Sequence, residues 1–209
     1  EALDKLTILD IKLQKINDDR RNDVQVEYTM LKEKLTSELE KCSYYYRILK
    51  EINLLIWDMQ DDFRDKKGDT IALCIKIIEE NDRRFRVKKK INDLVNSSLK
   101  EQKGYARTKA IIITHLGNGD HITCNGLVRY YSTKYDNITV FCKKQNLHNL
   151  EEFYKDDKTI SFYTVENNWK YRAEQVEQYA TRNNYNDVIV TGHRKDNNYD
   201  DLPFCFYHF

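Results

Sequence analysis

A surplus of charge of either sign is missing from this chain: 35 basic residues stand against 34 acidic ones, a formal net charge of +1. No global field then recruits nucleic acid or an anionic membrane, and the partner class narrows to small molecules or protein. The cysteines lack ligand spacing. Cys42, Cys74, Cys124, Cys142 and Cys205 form an odd set with no CxxC or Cys/His pattern, which argues for reduced core thiols rather than disulfides or zinc. No metal or other cofactor is expected. Long apolar runs are absent too: none approaches the roughly 18 residues of a spanning helix, and the chain opens on an amphipathic pattern rather than a signal peptide. The reading is a soluble, cytoplasmic protein. Glu1 in place of an initiator Met, and the apolar ending LPFCFYHF, suggest that the natural chain continues past both ends.

What is present falls into two grammars. The first half repeats at helical spacing. Leu6, Leu9, Leu13 and Ile16 form one stripe, with Asp4, Lys5, Lys12 and Lys15 off it. Asn17, Asp18 and Asp19 break the run before a second stripe of Val24, Tyr28, Leu31, Leu35 and Cys42. A third, Tyr45, Leu49, Ile52, Ile56, Met59 and Phe63, continues it as one long helix or two. Asp65 to Asp69 predicts a turn in which Gly68 takes positive φ and Asp69 caps the helix that follows. That last helix is read with Ile71, Ile75, Ile78, Phe85, Ile91 and Leu94 as its apolar positions, completing an antiparallel hairpin or small bundle. The basic segment of Asn81 to Arg84, Arg86 and Lys88 to Lys90 is read as a solvated face rather than a phosphate or RNA site. Tyr44 to Tyr46 and Trp57 are read as core and core rim rather than base-stacking groups.

The polar stretch from Ser97 to Gly104 marks a boundary, so the domains are set at 1–104 and 105–209. Beyond it, short β-branched runs at 110–114, 138–142, 159–164 and 187–191 alternate with helical patterns at 121–134, 147–154 and 169–182. The fold class is α + α/β: a helical bundle followed by a Rossmann-like parallel sheet with right-handed crossovers. Ligands of such sheets bind at the carboxyl ends of the strands, which directs attention to the loops at 115–121 and 192–195.

The first of these loops reads His115-Leu116-Gly117-Asn118-Gly119-Asp120-His121. Gly117 and Gly119 allow close backbone approach, Asn118 tolerates unusual φ, and Asp120 can cap the next helix while offering a carboxylate. A carboxylate between two histidines is a candidate general base. Spacing alone does not choose between that role and a plain helix cap. The full dinucleotide fingerprint fails, because Ile122 stands where the third Gly belongs and the second strand ends in Cys142-Lys143-Lys144 rather than an acid, although Lys143 and Lys144 could tolerate a 2′-phosphate and leave NADP as a weaker alternative. There is no GxxxxGK[ST] or GxSxG motif, and the run Asp196 to Asp201 lacks the Gly and Glu of a calcium loop.

The phrases EALDKLTILDIKLQKI, YYYRILKEINLLIWDMQDDFR and NDRRFRVKKKIN resemble a helical family of unknown function, found alone in bacteria and joined to glycosyltransferase-like domains in large DNA viruses. HLGNGDHITCNGLVRYYSTKYDNITVFCKK, with DVIV and PFCFY later, is similar to the amino-terminal Rossmann-like half of GT-B glycosyltransferases of the heptosyltransferase type. That resemblance implies that Asp120 is the base for an acceptor hydroxyl, that Gly117 and Gly119 position it, and that the donor is a nucleotide sugar bound mainly by a second domain beyond Phe209. His115, Asn118, His121, Arg129, His193 and Arg194 are the accompanying candidates for contact with phosphate or sugar oxygens. The alternative reading is a non-catalytic module, with the helical half forming a homodimer or docking a partner.

Overall fold

The computed structural model describes residues 1–98, 104, 107–114, 116–170 and 172–191. The chain divides into two compact units, 1–103 and 104–209. Among the described residues no helix is long and apolar enough to cross a membrane.

The first unit is four helices: α1 (Ala2–Lys15), α2 (Arg20–Lys34), α3 (Thr36–Arg64) and α4 (Thr70–Leu94). The turn between α3 and α4 forms as its residues dictate. Gly68 sits at φ 73°, and the Asp69 carboxylate accepts from the Ile71 and Ala72 amides at 2.9 and 3.2 Å, satisfying two donors that a helix start leaves open. Val24, Tyr28, Leu31 and Leu35 are the half-buried side of α2, but Cys42 belongs to α3. The break falls at Leu35, whose amide makes a tight bond to the Lys32 carbonyl, and α3 bends where Cys42 leaves helical geometry (φ −123°, ψ 24°). Tyr45, Ile48, Leu49, Ile52, Ile56 and Met59 of α3 fill the core together with Leu3 of α1 and Val87 and Ile91 of α4.

Two expectations are corrected in this unit. α4 turns Leu73, Ile77, Val87, Ile91 and Leu94 to the core, whereas Ile71, Ile75 and Ile78 point to solvent. Both sets repeat at helical spacing, so periodicity could not tell which was inside. Asp4, set off the stripe by its charge, is only 6% exposed. Its Oδ1 accepts from Asn53 Nδ2 at 3.0 Å and Arg84 Nε at 3.2 Å, and its Oδ2 accepts from Arg84 Nη2 at 2.7 Å. Asn53 Nδ2 also donates to the Thr7 hydroxyl at 2.7 Å, and Thr7 Oγ1 donates to the Asp4 carbonyl. Lys88 reaches Glu1 at 2.8 Å and Asp4 at 3.6 Å, while Arg86 and Lys90 are buried. The basic segment is therefore half-buried to buried rather than a solvated face, with Arg84 and Lys88 turned to the acid at the start of α1. Tyr45 is core, Tyr46 and Trp57 are half-buried, and Tyr44 lies at the rim.

Among the described residues the second unit is a four-stranded, all-parallel sheet in the order β3-β2-β1-β4. Its strands are β1 (Lys109–Ile113), β2 (Asn137–Lys143), β3 (Ile160–Val165) and β4 (Asp187–Val190), joined through α5 (Asn118–Thr123), α6 (Asn125–Tyr131), α7 (Leu147–Phe153) and α8 (Ala173–Arg182). Ile112 aligns with Val140 of β2 on one side and with Ile189 of β4 on the other. β1 is buried on both faces, as its unbroken β-branched run requires. Ala110 and Ile112 meet Val128 and Leu150 on one face, and Ile111 and Ile113 meet Val176 and Ala180 on the other. The helix expected over 121–134 is two short ones, broken at Cys124 (φ −84°, ψ 2°) within Thr123-Cys124-Asn125-Gly126, a run of weak helix formers.

Asp4 generates a stability prediction. Burial alone would raise its carboxyl, but the hydrogen bonds from Asn53 and Arg84 and the charges of Arg84 and Lys88 outweigh that and hold it below its ordinary value. The folded state thus binds this proton more weakly than the unfolded chain, so the contribution is complete above about pH 4 and disappears as pH falls through the folded value. Replacing Asp4 by Ala strands the Arg84 and Asn53 donors, and chemical denaturation of the full chain at pH 7 should show a loss of about 2–4 kcal/mol.

Candidate functional site

Because β1 is flanked by β2 on one side and β4 on the other, the chain reverses its direction of winding there, and it is at such a switch point, beyond the carboxyl ends of the strands, that open parallel sheets bind their ligands. The β1–α5 loop and the end of β4 share that edge. The Thr191 amide donates to the Ile113 carbonyl at 2.9 Å, and its hydroxyl donates to the same oxygen at 3.3 Å. Cys124 Sγ lies 3.9 Å from Thr191 Oγ1, which ties the start of α6 to the end of β4.

The loop itself turns at Leu116, which takes φ 66° although it carries a side chain and is 2% exposed. Such a conformation costs of order 1–3 kcal/mol and persists only where surroundings hold it. Two polar side chains do so. The Leu116 amide donates to Thr114 Oγ1 at 3.2 Å, and Asn146 Nδ2, buried in the turn after β2, donates to the Leu116 carbonyl at 2.9 Å. The unusual φ is thus at Leu116 and not at Asn118, which opens α5 in the helical region.

Gly117 is the N-cap of α5, and Asp120 is its third helical residue. Asp120 Oδ2 accepts from the Gly117 amide at 3.2 Å, the back-reach of a capping box. A Cβ on Gly117 would stand 2.7 Å from that same oxygen, so the missing side chain is what admits the carboxylate. Nothing lies within 4 Å of a Cβ built on Gly119, so close approach is needed at one glycine and not the other. Asp120 is half-buried, and Asn118 and Gly119 are exposed beside it.

His121 turns inward. It is 1% exposed, with Nδ1 3.4 Å from Thr114 Oγ1 and Nε2 buried without a hydrogen-bond partner among the described residues. Burial lowers its pKa against the weaker opposing pull of Asp120, so the imidazole is neutral at pH 7. It packs beneath the loop, against Thr114. Arg129 belongs to a different place. Its guanidinium pairs with both oxygens of Asp156 at 2.8 Å, donates to the Phe153 carbonyl at 2.8 Å and to Asn125 Oδ1 at 3.2 Å, and lies over the Tyr154 ring. That cluster holds α6 to the segment that enters β3. His115, His193 and Arg194 lie outside the described residues, as do the run 196–201 and Cys205.

Thr114, Cys124, Asn146 and Thr191 complete the site and were not singled out from the sequence. A signal existed: β1 and β4 both run from aliphatic residues into a threonine, Ile113-Thr114 and Val190-Thr191. Cys42, Cys124 and Cys142 are buried free thiols and Cys74 is exposed, with burial pushing Cys142 up to about 11. No group of three or more His, Cys, Asp or Glu able to hold a metal occurs among the described residues. The other face of the sheet carries a cavity of about 310 Å³ lined by Phe141, Tyr163, Trp169, Tyr179, Gln178 and Arg182, among others. Its lining contains no carboxylate.

Two measurements check this geometry. Gly117→Ala and Asp120→Ala each remove the same capping bond and should each cost about 1 kcal/mol, with the double variant costing little more; Asp120→Asn, which keeps an acceptor, should cost under about 0.5 kcal/mol. For His121 the folded pKa is the lower one, so its contribution is complete above about pH 6.5 and falls as pH drops toward the folded value. Unfolding curves from pH 7 to 5 should therefore flatten in His121→Gln relative to the wild type.

No family model, curated protein or solved structure matches the chain.

Proposed function

We propose that the α/β unit is the acceptor-side half of a metal-independent, GT-B-like sugar transferase, working in a reducing compartment such as the cytoplasm. One observation carries the reading: the all-parallel order β3-β2-β1-β4 sets the Asp120 loop at the switch point of the sheet, with Asp120 half-buried and next to two exposed residues. In this reading Asp120 takes the proton of the acceptor hydroxyl as that oxygen attacks the anomeric carbon of a nucleotide sugar, and the bond to the nucleotide diphosphate breaks. Thr114 and Asn146 hold the loop, and buried, neutral His121 supports it from below. His193 and Arg194 follow Thr191 by two and three residues and are the candidates for the donor's phosphates. Arg129, engaged by Asp156, has no part in it.

The second reading, a non-catalytic association module with the α/β unit as scaffold, is favoured by the apolar side chains that α4 leaves in solvent. Titrating the full chain with nucleotide sugars, bare nucleotides and NADPH separates the two. The expected result, with the second, donor-binding domain of this reading supplied, is saturable binding of a nucleotide sugar and transfer reduced at least about 100-fold in Asp120→Asn while binding persists. Wild-type transfer by Asp120→Asn would remove Asp120 from the reaction, and binding of NADPH alone would replace the transferase reading with a reductase.

A further inference from the structure

Four aromatic rings meet beside α8. Phe141 of β2 and Tyr163 of β3 are register partners, so both stand on the face of the sheet that α8 covers, and Trp169 and Tyr179 close round them. Phe141, 3% exposed, is the centre: its ring lies 4.6 Å from Tyr163, 5.7 Å from Tyr179 and 6.1 Å from Trp169, and Tyr163 and Tyr179 are themselves 4.7 Å apart. The cluster is not sealed. Tyr163 is 38% exposed, Trp169 is half-buried, and the cavity of about 310 Å³ stands over them. Gln175, Gln178 and Arg182 line its rim from α8 at i, i+3 and i+7, one side of a helix. All three are exposed, and among the described residues none of their side chains makes a hydrogen bond or ion pair within the protein. A concave surface of aromatic rings with a few convergent polar groups left unused is the form that small-molecule sites take.

We propose that this cavity binds carbohydrate, a neutral pyranose whose C–H face lies on the Tyr163 and Trp169 rings while its hydroxyls meet Gln175, Gln178 and Arg182. The rings touch one another, tilted by 31° between Phe141 and Tyr163 and by 51° between Tyr163 and Tyr179, so no parallel slot admits a flat base between two of them. A ligand has to lie on the aromatic surface, as the apolar face of a puckered sugar ring does. The rim matches hydroxyl groups: the Gln amides donate and accept, the guanidinium donates, and a sugar hydroxyl does either. Charge excludes an anion. The adjoining hollow on α8 shares Gln178 and Arg182 and adds Glu174 and Glu177, so a phosphate or carboxylate drawn to Arg182 would face two acids, whereas a neutral sugar meets no such opposition. The volume, at the low end of the roughly 300–1,000 Å³ of such sites, suits a short glycan segment rather than a dinucleotide. The cavity shares no lining residue with the Asp120 loop, and the inference holds whether or not Asp120 supports transfer.

The experiment adds maltohexaose, cellohexaose, mannohexaose and chitohexaose in turn to the full chain, and follows binding by calorimetry and by the two tryptophan indole N–H signals in heteronuclear NMR. At least one sugar should bind saturably and shift the Trp169 signal while Trp57, in the helical unit, stays unmoved; Trp169→Phe assigns the two. Gln178→Ala and Arg182→Ala, at exposed positions without side-chain partners in the fold, should each weaken that sugar about 3- to 10-fold and leave the thermal midpoint unchanged. Tyr163→Phe, which keeps the ring, should retain the binding that Tyr163→Ala loses. Uridine monophosphate, which offers a flat base and a phosphate, should not compete. No binding of any of the four sugars at millimolar concentration, a Trp169 signal that does not move, or an affinity unchanged in both α8 variants overturns the carbohydrate site; displacement of the sugar by uridine monophosphate overturns the choice of a neutral ligand.

Discussion

Polar groups removed from water must find partners inside the fold, and both units of this protein are arranged around that requirement. In the helical unit the demand comes from Asp4. Its carboxylate and the Thr7 hydroxyl draw Asn53 from α3 and Arg84 from α4 to one point, so three helices are aligned by hydrogen bonds of defined direction as well as by apolar packing. In the α/β unit the demand comes from a loop with a left-handed leucine. There Thr114 and Asn146 close the open backbone groups, and the loop holds a shape that its own residues would not choose alone.

The same requirement explains the candidate site. Asp120 closes the start of α5 by accepting from Gly117, and it stands half-buried at the switch point of the sheet. A capped carboxylate is a positioned one, because the bond that stabilises the helix also fixes the rotamer. His121, adjacent in sequence, faces the other way and stays neutral.

Much of this was legible in the sequence where a pattern has one structural meaning. Ala110 to Ile113 could only be a doubly buried strand, Asp65 to Asp69 could only be a turn, and the alternation of strands and helices dictated a parallel sheet. The illegible parts are those where two partners had to be known at once. α4 carries two apolar stripes, and the choice between them depends on where α3 lies. Asp4 reads as surface until Arg84, 80 residues later, is placed beside it. Arg129 reads as a ligand contact until Asp156 takes both sides of its guanidinium. The site's threonines were hidden for another reason: a threonine at a strand end is common, and only the pairing of β1 with β4 makes two of them neighbours of one loop.

The bond from Asn146 to the Leu116 carbonyl has a mechanical meaning. Asn146 belongs to the connection that leaves β2, so the turn before Asp120 is anchored outside its own strand. A ligand that displaces this turn must either break that bond or drag the β2–α7 connection along with it. Movement of the turn is thereby transmitted to the middle of the sheet, and the stiffness felt at Asp120 is set by a residue of another connection.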